Sequence, residues 1–195
     1  MSSNDPRERW NERYRDADPP TEPTPLVEQY RDRLEGETAL DVATGGGRNA
    51  IALAEDGFAV EAIDIAEAGL EVARERAAER GVDVTFVRAD AETRSFGVDR
   101  YDVISVSHYY SLETLAKLTR ALSPGGTLLY EHDLRVPGDE TDRFGFYPND
   151  LLRSCLDLRI VHYEEPFRVT DEESGVRLVA RAPTAVDGGP TDSRT

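Results

Sequence analysis

One cysteine, one methionine, one tryptophan and a single lysine, Lys117, are all that this chain holds of four residue types. A lone Cys155 excludes an internal disulfide and a four-cysteine zinc site. The three histidines show no ligand spacing, so no metal site is expected. No apolar run approaches the roughly 18 residues of a membrane span, and the opening MSSNDPRERW lacks a signal-peptide core. The expected address is therefore the cytoplasm, with no membrane partner. Clustered Lys and Arg are missing too, which argues against nucleic acid as a substrate.

What the chain has in excess is acid: 39 Asp and Glu against 23 Lys and Arg, a formal net charge of −16. The charges are dispersed among regular apolar segments, which argues against a disordered acidic protein. A dense acidic surface suits a salt-rich cytoplasm, where the Debye length falls to about 3 Å at 1 M salt and self-repulsion is screened.

At 195 residues the chain fits one α/β domain preceded by a helical segment. Residues 5–15 (DPRERWNERYR) predict a short helix with Trp10 and Tyr14 on one face. A proline-rich loop and a second helix ending before Gly36 complete an N-terminal lid over residues 1–34. Strands are then expected at 38–43, 59–64, 84–88, 102–106 and 127–132, and helices at 48–55, 66–80 and 112–121. The SPGG segment reads as a loop before the fifth strand. These strands are apolar runs, as a parallel sheet covered on both faces requires. After a polar loop and a short helix at 148–155, two strands (158–165 and 177–181) are joined by a turn too short for a crossover helix, so they must pair antiparallel. The domain runs over 35–182; residues 1–4 and the tail 183–195 are expected to be disordered.

The chemistry gathers at the ends of the strands. Gly45, Gly46 and Gly47 follow the first strand, where glycines let the backbone approach a ligand and the next helix presents its N-terminus. Asp64 ends the second strand, placed to accept ribose hydroxyls or to cap the following helix. This pattern also fits a dinucleotide fingerprint. Asp41 decides against that reading, because a pyrophosphate would meet a like charge while a sulfonium and an α-ammonium would gain from it. Asp90 could accept from an adenine amino group, with the Ala91 backbone beside the ring and Ile65 against its face. Asp90 also reads as an Asx-turn residue.

Together these segments resemble the class I S-adenosylmethionine-dependent methyltransferases. The resemblance is carried by LDVATGGGRNA, AID, RADAE, YDVISVSHYY and LSPGGTLLYEH, across about Trp10 to Ala182. WNERY, GGGRNAIALA and FYPNDLLRSCLDLRIVHYEE further resemble the small tellurite-resistance and thiopurine-type methyltransferases. One departure is Ala43, which stands where the family has glycine; a methyl group fits there if φ is negative.

The resemblance implies a doubly wound, Rossmann-like sheet of seven strands in the order 3-2-1-4-5-7-6, with strand 7 antiparallel. It also implies S-adenosylmethionine as cofactor, held by Trp10, Tyr14, Asp41, Gly45, Gly47, Asp64, Ile65, Asp90 and Ala91. His108 and Tyr109, after the fourth strand, are the expected catalytic residues, with Tyr110, His132 and Asp133 nearby and Arg48 as a carboxylate partner. His162 reads as structural. With no extra domain for a macromolecule and no strong general-base dyad legible, a small soft nucleophile is expected: a thiol, or a tellurium or selenium oxyanion. A nicotinamide-dependent reductase and a non-catalytic nucleotide-binding module are the alternatives. Oligomeric state is not legible.

Overall fold

The computed structural model describes residues 5–16, 18–137, 145–170 and 174–184. Its elements are helix α1 (Pro6–Asp16), α2 (Pro25–Tyr30) with a 3-10 turn (Arg31–Arg33), strand β1 (Thr38–Val42), α3 (Arg48–Glu55), β2 (Ala59–Asp64), α4 (Glu67–Arg80) and β3 (Val84–Arg88). There follow β4 (Tyr101–Ser107), α5 (Leu112–Ala121), β5 (Leu122–Asp133), α6 (Asp150–Arg153), β6 (Arg159–Glu164) and β7 (Gly175–Arg181). Among the described residues the strands form one sheet in the order β3-β2-β1-β4-β5-β7-β6. The pairs from β3 through β5 are parallel, and β7 runs antiparallel to both neighbours, as expected.

Successive strand residues alternate between two apolar layers. Leu40, Ile104, Leu128 and Leu178 face one way, toward Leu115 and Leu118 of α5. Ala39, Val103, Leu129 and Val179 face the other, toward Leu26 and Val27 of α2 and Leu53 of α3. Both faces being buried explains why the strands read as continuous apolar runs.

Two expectations are corrected here. The lid expected over residues 1–34 divides in two: α2 is part of the core, with Leu26 and Val27 at 1% exposure, whereas α1 packs through Tyr14 on Gly45 and Gly69, and Pro19 of the loop behind it on Gly46. The SPGG segment, expected as a loop, lies inside β5. Gly125 at φ +80 absorbs the irregularity there, while the ladder closes on both sides through Tyr101↔Leu122 and Val103↔Thr127. The expected disordered ends, 1–4 and nearly all of 183–195, lie outside the described residues.

The parallel order fixes the place of function. All parallel strands end on one side, and β1 and β4, neighbours whose following helices α3 and α5 lie on opposite faces, leave a crevice between their carboxyl ends.

Candidate active site

The first turn of the site is built by β1 running into Gly45–Gly47. Gly45 has φ +54 and Gly47 φ +83, both left-handed. A side chain at Gly47 would meet Ala73 Cβ at 2.8 Å, so this glycine lets α3 and α4 pack closely; one at Gly45 would meet the Tyr14 hydroxyl at 2.2 Å. The condition under which a methyl group fits at Ala43 without strain, a negative φ, is not met: the residue sits at φ +56. The left-handed backbone that β1 needs to leave the sheet is made here with an L-residue, at a cost of about 1–2 kcal/mol.

Asp64 is tied to this turn. Its Oδ2 accepts from Gly45 N–H and its Oδ1 from Ala66 N–H, both at 2.8 Å. The helix-start role therefore holds, and the second lone pair of each oxygen is what remains for a ribose. Burial pushes this carboxyl above the usual aspartate range, against the pull of the backbone N–H groups of Ala66, Gly45 and Ile65.

Asp41 is 2% exposed, and its Oδ2 has no hydrogen-bond partner. The neighbouring Thr44 hydroxyl is likewise buried without one. Burial raises the Asp41 carboxyl to about 6, with Thr44, Ser105 and Arg48 pulling the other way. A buried, partly orphaned carboxylate is costly unless something positive completes it. The α-ammonium and sulfonium of S-adenosylmethionine have the required charge, so this donor set fits that cofactor.

At the ends of β2 and β3, Ile65 is only half-buried and Ala91 is 7% exposed. Asp90 Oδ1 accepts from Glu92 N–H at 2.9 Å, the Asx turn considered above, and the Asp90 side chain stays half-exposed. Ala89 N–H donates to Asp64 O at 2.9 Å and so holds the ends of β2 and β3 together.

Helix α1 covers the turn. Tyr14 packs on Gly45 and Gly69, and Trp10 stacks on Tyr14 with centroids 6.2 Å apart. Burial, with Asp64 nearby, pushes the Tyr14 hydroxyl up to about 12. Three residues not singled out from the sequence fix this helix and its loop. Asn11 Oδ1 caps α4 by accepting from Ala68 N–H (2.9 Å), and Gly69 leaves room for the tyrosine ring. Arg76 reaches from α4 to Asp18 Oδ1 (2.8 Å) and to Pro19 O (2.6 Å).

At the ends of β4 and β5 the aromatic residues separate. Tyr109, an expected catalytic residue, has its hydroxyl on Thr114 Oγ1 (3.2 Å) and packs against the core. Tyr110 instead meets Phe146 (4.8 Å between centroids) and His132 (6.3 Å) edge-on. His108 follows β4 in a left-handed conformation (φ +54), 6.4 Å from the His132 ring. Its Nδ1 lies 3.8 Å from Asp133 Oδ2. Phe146 comes from far along the chain, at the head of the FYPND segment, and was given no place at the site from the sequence. His162, expected to be structural, lies half-buried beside Tyr30.

A polar network under the turn was also not foreseen. Asn49 accepts from Thr24 N–H (2.8 Å) and donates to the Ser107 hydroxyl (3.1 Å), which donates to buried Glu131 (3.2 Å). Among the described residues no group of three potential metal ligands occurs, and no helix is long and apolar enough to cross a membrane.

Residues 39–126 match the methyltransferase domain family. Among curated proteins none has a significantly similar sequence. TehB from Haemophilus influenzae shares the fold with a TM-score of 0.74 and 18% identity, over 90% of this chain and 66% of that one. A structure described under the conversion of a disulfide bond into a thioacetal group during echinomycin biosynthesis gives 0.70 at 21% identity, over 91% and 93% of the two chains. An S-adenosylmethionine-dependent methyltransferase from Mesorhizobium loti gives 0.64 at 20%, over 80% and 96%.

Proposed function

We propose that the chain is a class I S-adenosylmethionine-dependent methyltransferase, as the match of residues 39–126 to the methyltransferase domain family supports, and that it methylates a small, soft nucleophile, a thiol or a tellurium or selenium oxyanion. We place this enzyme in a salt-rich cytoplasm, on the strength of its net charge of −16.

The observation that carries the reading of the site is Asp41. Its unpartnered, buried Oδ2 beneath the glycine turn supplies negative charge where a cation is to be held, and would repel a pyrophosphate. Around it, Gly45 allows the backbone to approach the ligand, and Asp64 offers its remaining lone pairs to ribose hydroxyls. Asp90 and Ala91 line the edge of the purine, and Ile65 one face. Tyr14 and Trp10 close over the methionine end and exclude water. When bound, S-adenosylmethionine supplies an electrophilic methyl group on a good leaving group. The protein's share is alignment, which can be worth about 7–11 kcal/mol.

The acceptor side is walled by Tyr110 and His132, which buried Phe146 backs from the core, with His108 at its edge. Aromatic walls suit a polarisable atom, since sulfur gains about 0.3–1.5 kcal/mol from such contacts. Sulfur chemistry is also within the range of this fold, as the thioacetal-forming neighbour indicates for itself.

Titration of the protein with S-adenosylmethionine, S-adenosylhomocysteine and NADH in multimolar KCl tests the cofactor. Tight binding of the first two and none of NADH is expected; the reverse would refute the reading. Single-turnover transfer of labelled methyl to thiols, chalcogen oxyanions and amines tests the acceptor class, with amines expected to be poor.

A further inference from the structure

Resting on that reading, we propose that His108 takes the acceptor's proton and that Asp133 is its positioning residue, so that the preferred acceptor is a thiol arriving protonated and not an oxyanion already ionised.

The pair joins residues from adjacent strand ends. His108 leaves β4 at φ +54, a conformation histidine tolerates better than most residues, and its N–H donates to Glu131 O at 3.0 Å. The ladder thus holds the residue in place while the turn of the backbone takes its side chain out of the sheet. Its Nδ1 faces Asp133 Oδ2 at 3.8 Å, an ion-pair separation that a small side-chain rotation shortens to a hydrogen bond. Asp133 is itself held from behind: Ser174 Oγ donates to its Oδ1 at 3.1 Å, and Leu134 N–H donates to Ser174 O at 2.7 Å. The histidine, first among its neighbours, holds the Asp133 carboxyl below the usual aspartate range, with help from Ser174 and His132. An ionised Asp133 bound at Nδ1 fixes the proton on that nitrogen and leaves Nε2 as the acceptor. Nε2 has no partner among the described residues, and the side chain is 58% exposed.

β4 is the neighbour of β1, so Nε2 is carried at the rim of the same crevice that Gly45 and Asp41 line. The groups facing the imidazole are Asp133 and His132 from β5, with Ser174 ahead of β7 and Tyr110 touching His132. In the step, the S–H proton passes to Nε2 and the sulfur lone pair forms the new S–CH3 bond. The bond between methyl carbon and sulfonium breaks with its electrons on the neutral thioether that departs. Exposure lets the imidazolium return its proton to water. An ionised oxyanion would gain nothing from this arrangement and would be repelled by Asp133.

The test is kcat/KM against pH for wild type, His108→Gln and Asp133→Asn, with a series of thiols of graded acidity and with selenite. For thiols of ordinary acidity (pKa about 8.5) His108→Gln should lose about 10²-fold and its acid limb. The loss should shrink to within about threefold for thiols already ionised at the assay pH, and Asp133→Asn should fall between, with Asp133→Glu recovering part. Independently of turnover, the Asp133 carboxyl carbon followed by NMR should titrate at higher pH in His108→Gln. An equal loss across the thiol series, losses under twofold throughout, an unmoved Asp133 titration, or transfer to selenite but not to thiols would each overturn the proposal. Those outcomes leave methyl transfer intact, whereas failure to bind S-adenosylhomocysteine would remove the reading of the site and this proposal with it.

Discussion

Gly45 donates its backbone N–H to Asp64 Oδ2 at 2.8 Å, and this bond ties the glycine turn to the end of the neighbouring strand. The other oxygen, Oδ1, holds Ala66 N–H at the start of α4, so one carboxylate sets the relative position of two helices. A residue expected to bind the cofactor is therefore also what shapes the place of binding.

Asp64→Ala should accordingly lower stability and affinity together. Leaving two buried backbone donors unsatisfied costs about 2–4 kcal/mol of folding free energy, and loss of the ribose contacts a further 1.5–3 kcal/mol of binding. Thermal unfolding with S-adenosylhomocysteine titration separates the two. A lowered melting point with unchanged affinity in the folded fraction would leave Asp64 with its architectural role alone.

Ala43→Gly should be neutral or stabilising, contrary to the usual effect of glycine. The left-handed alanine at φ +56 carries about 1–2 kcal/mol of strain, while glycine costs about 0.5–1 kcal/mol in the unfolded chain. The net gain is about 0–1.5 kcal/mol. Ala43→Val should instead destabilise strongly, because a β-branched residue resists this conformation. Denaturant melts of the three proteins decide; a clear loss in the glycine variant would show that the Ala43 methyl packs productively.

The strands, the helices and the antiparallel pairing of β6 with β7 were legible because each signal behind them is local: apolar runs for two-sided burial, glycine at the ends of α3 and α4, and a short link between β6 and β7; the order of the strands across the sheet came only with the family resemblance. The carboxylates at the strand ends were legible for the same reason. What escaped the sequence depends on pairing at a distance. The contact between His108 and Asp133 crosses two strands, which is why no general-base dyad was visible. Phe146 reaches Tyr110 through tertiary packing alone. Tyr109 and Tyr110 are adjacent in sequence, but only the fold decides that the first turns to Thr114 and the second to His132. Ala43 and Gly125 mislead in opposite senses: an ordinary residue takes a glycine conformation, and a glycine-rich segment continues a strand.

Stability should rise with salt. Screening weakens attractive pairs such as Arg31–Asp56 as well as repulsive ones, but at a net charge of −16 the repulsive pairs dominate. The melting temperature should climb from low to multimolar KCl, most steeply below 1 M, where the Debye length changes most. A flat or falling midpoint would count against the saline setting.

Asp41 should make both stability and cofactor affinity depend on pH, in opposite directions. Its folded-state value is about 6, against 3.8 for the ordinary side chain. The folded protein therefore binds this proton more tightly than the unfolded chain does, and ionised Asp41 costs stability above pH 6. That cost is relieved as pH falls through 6 toward 3.8, by at most about 3 kcal/mol. Asp41→Asn should thus stabilise the free protein at pH 8, with an advantage that fades by pH 4. Binding runs the other way, because the cationic ligand needs the ionised carboxylate. S-adenosylmethionine binding at pH 6 should release a fraction of a proton, and its affinity should weaken by up to about tenfold per unit below that pH. Calorimetry in two buffers of different ionisation enthalpy measures the release directly. Identical heats in both buffers, together with a constant affinity from pH 5 to 7, would place the cation away from Asp41 and leave the orphaned oxygen to some other partner.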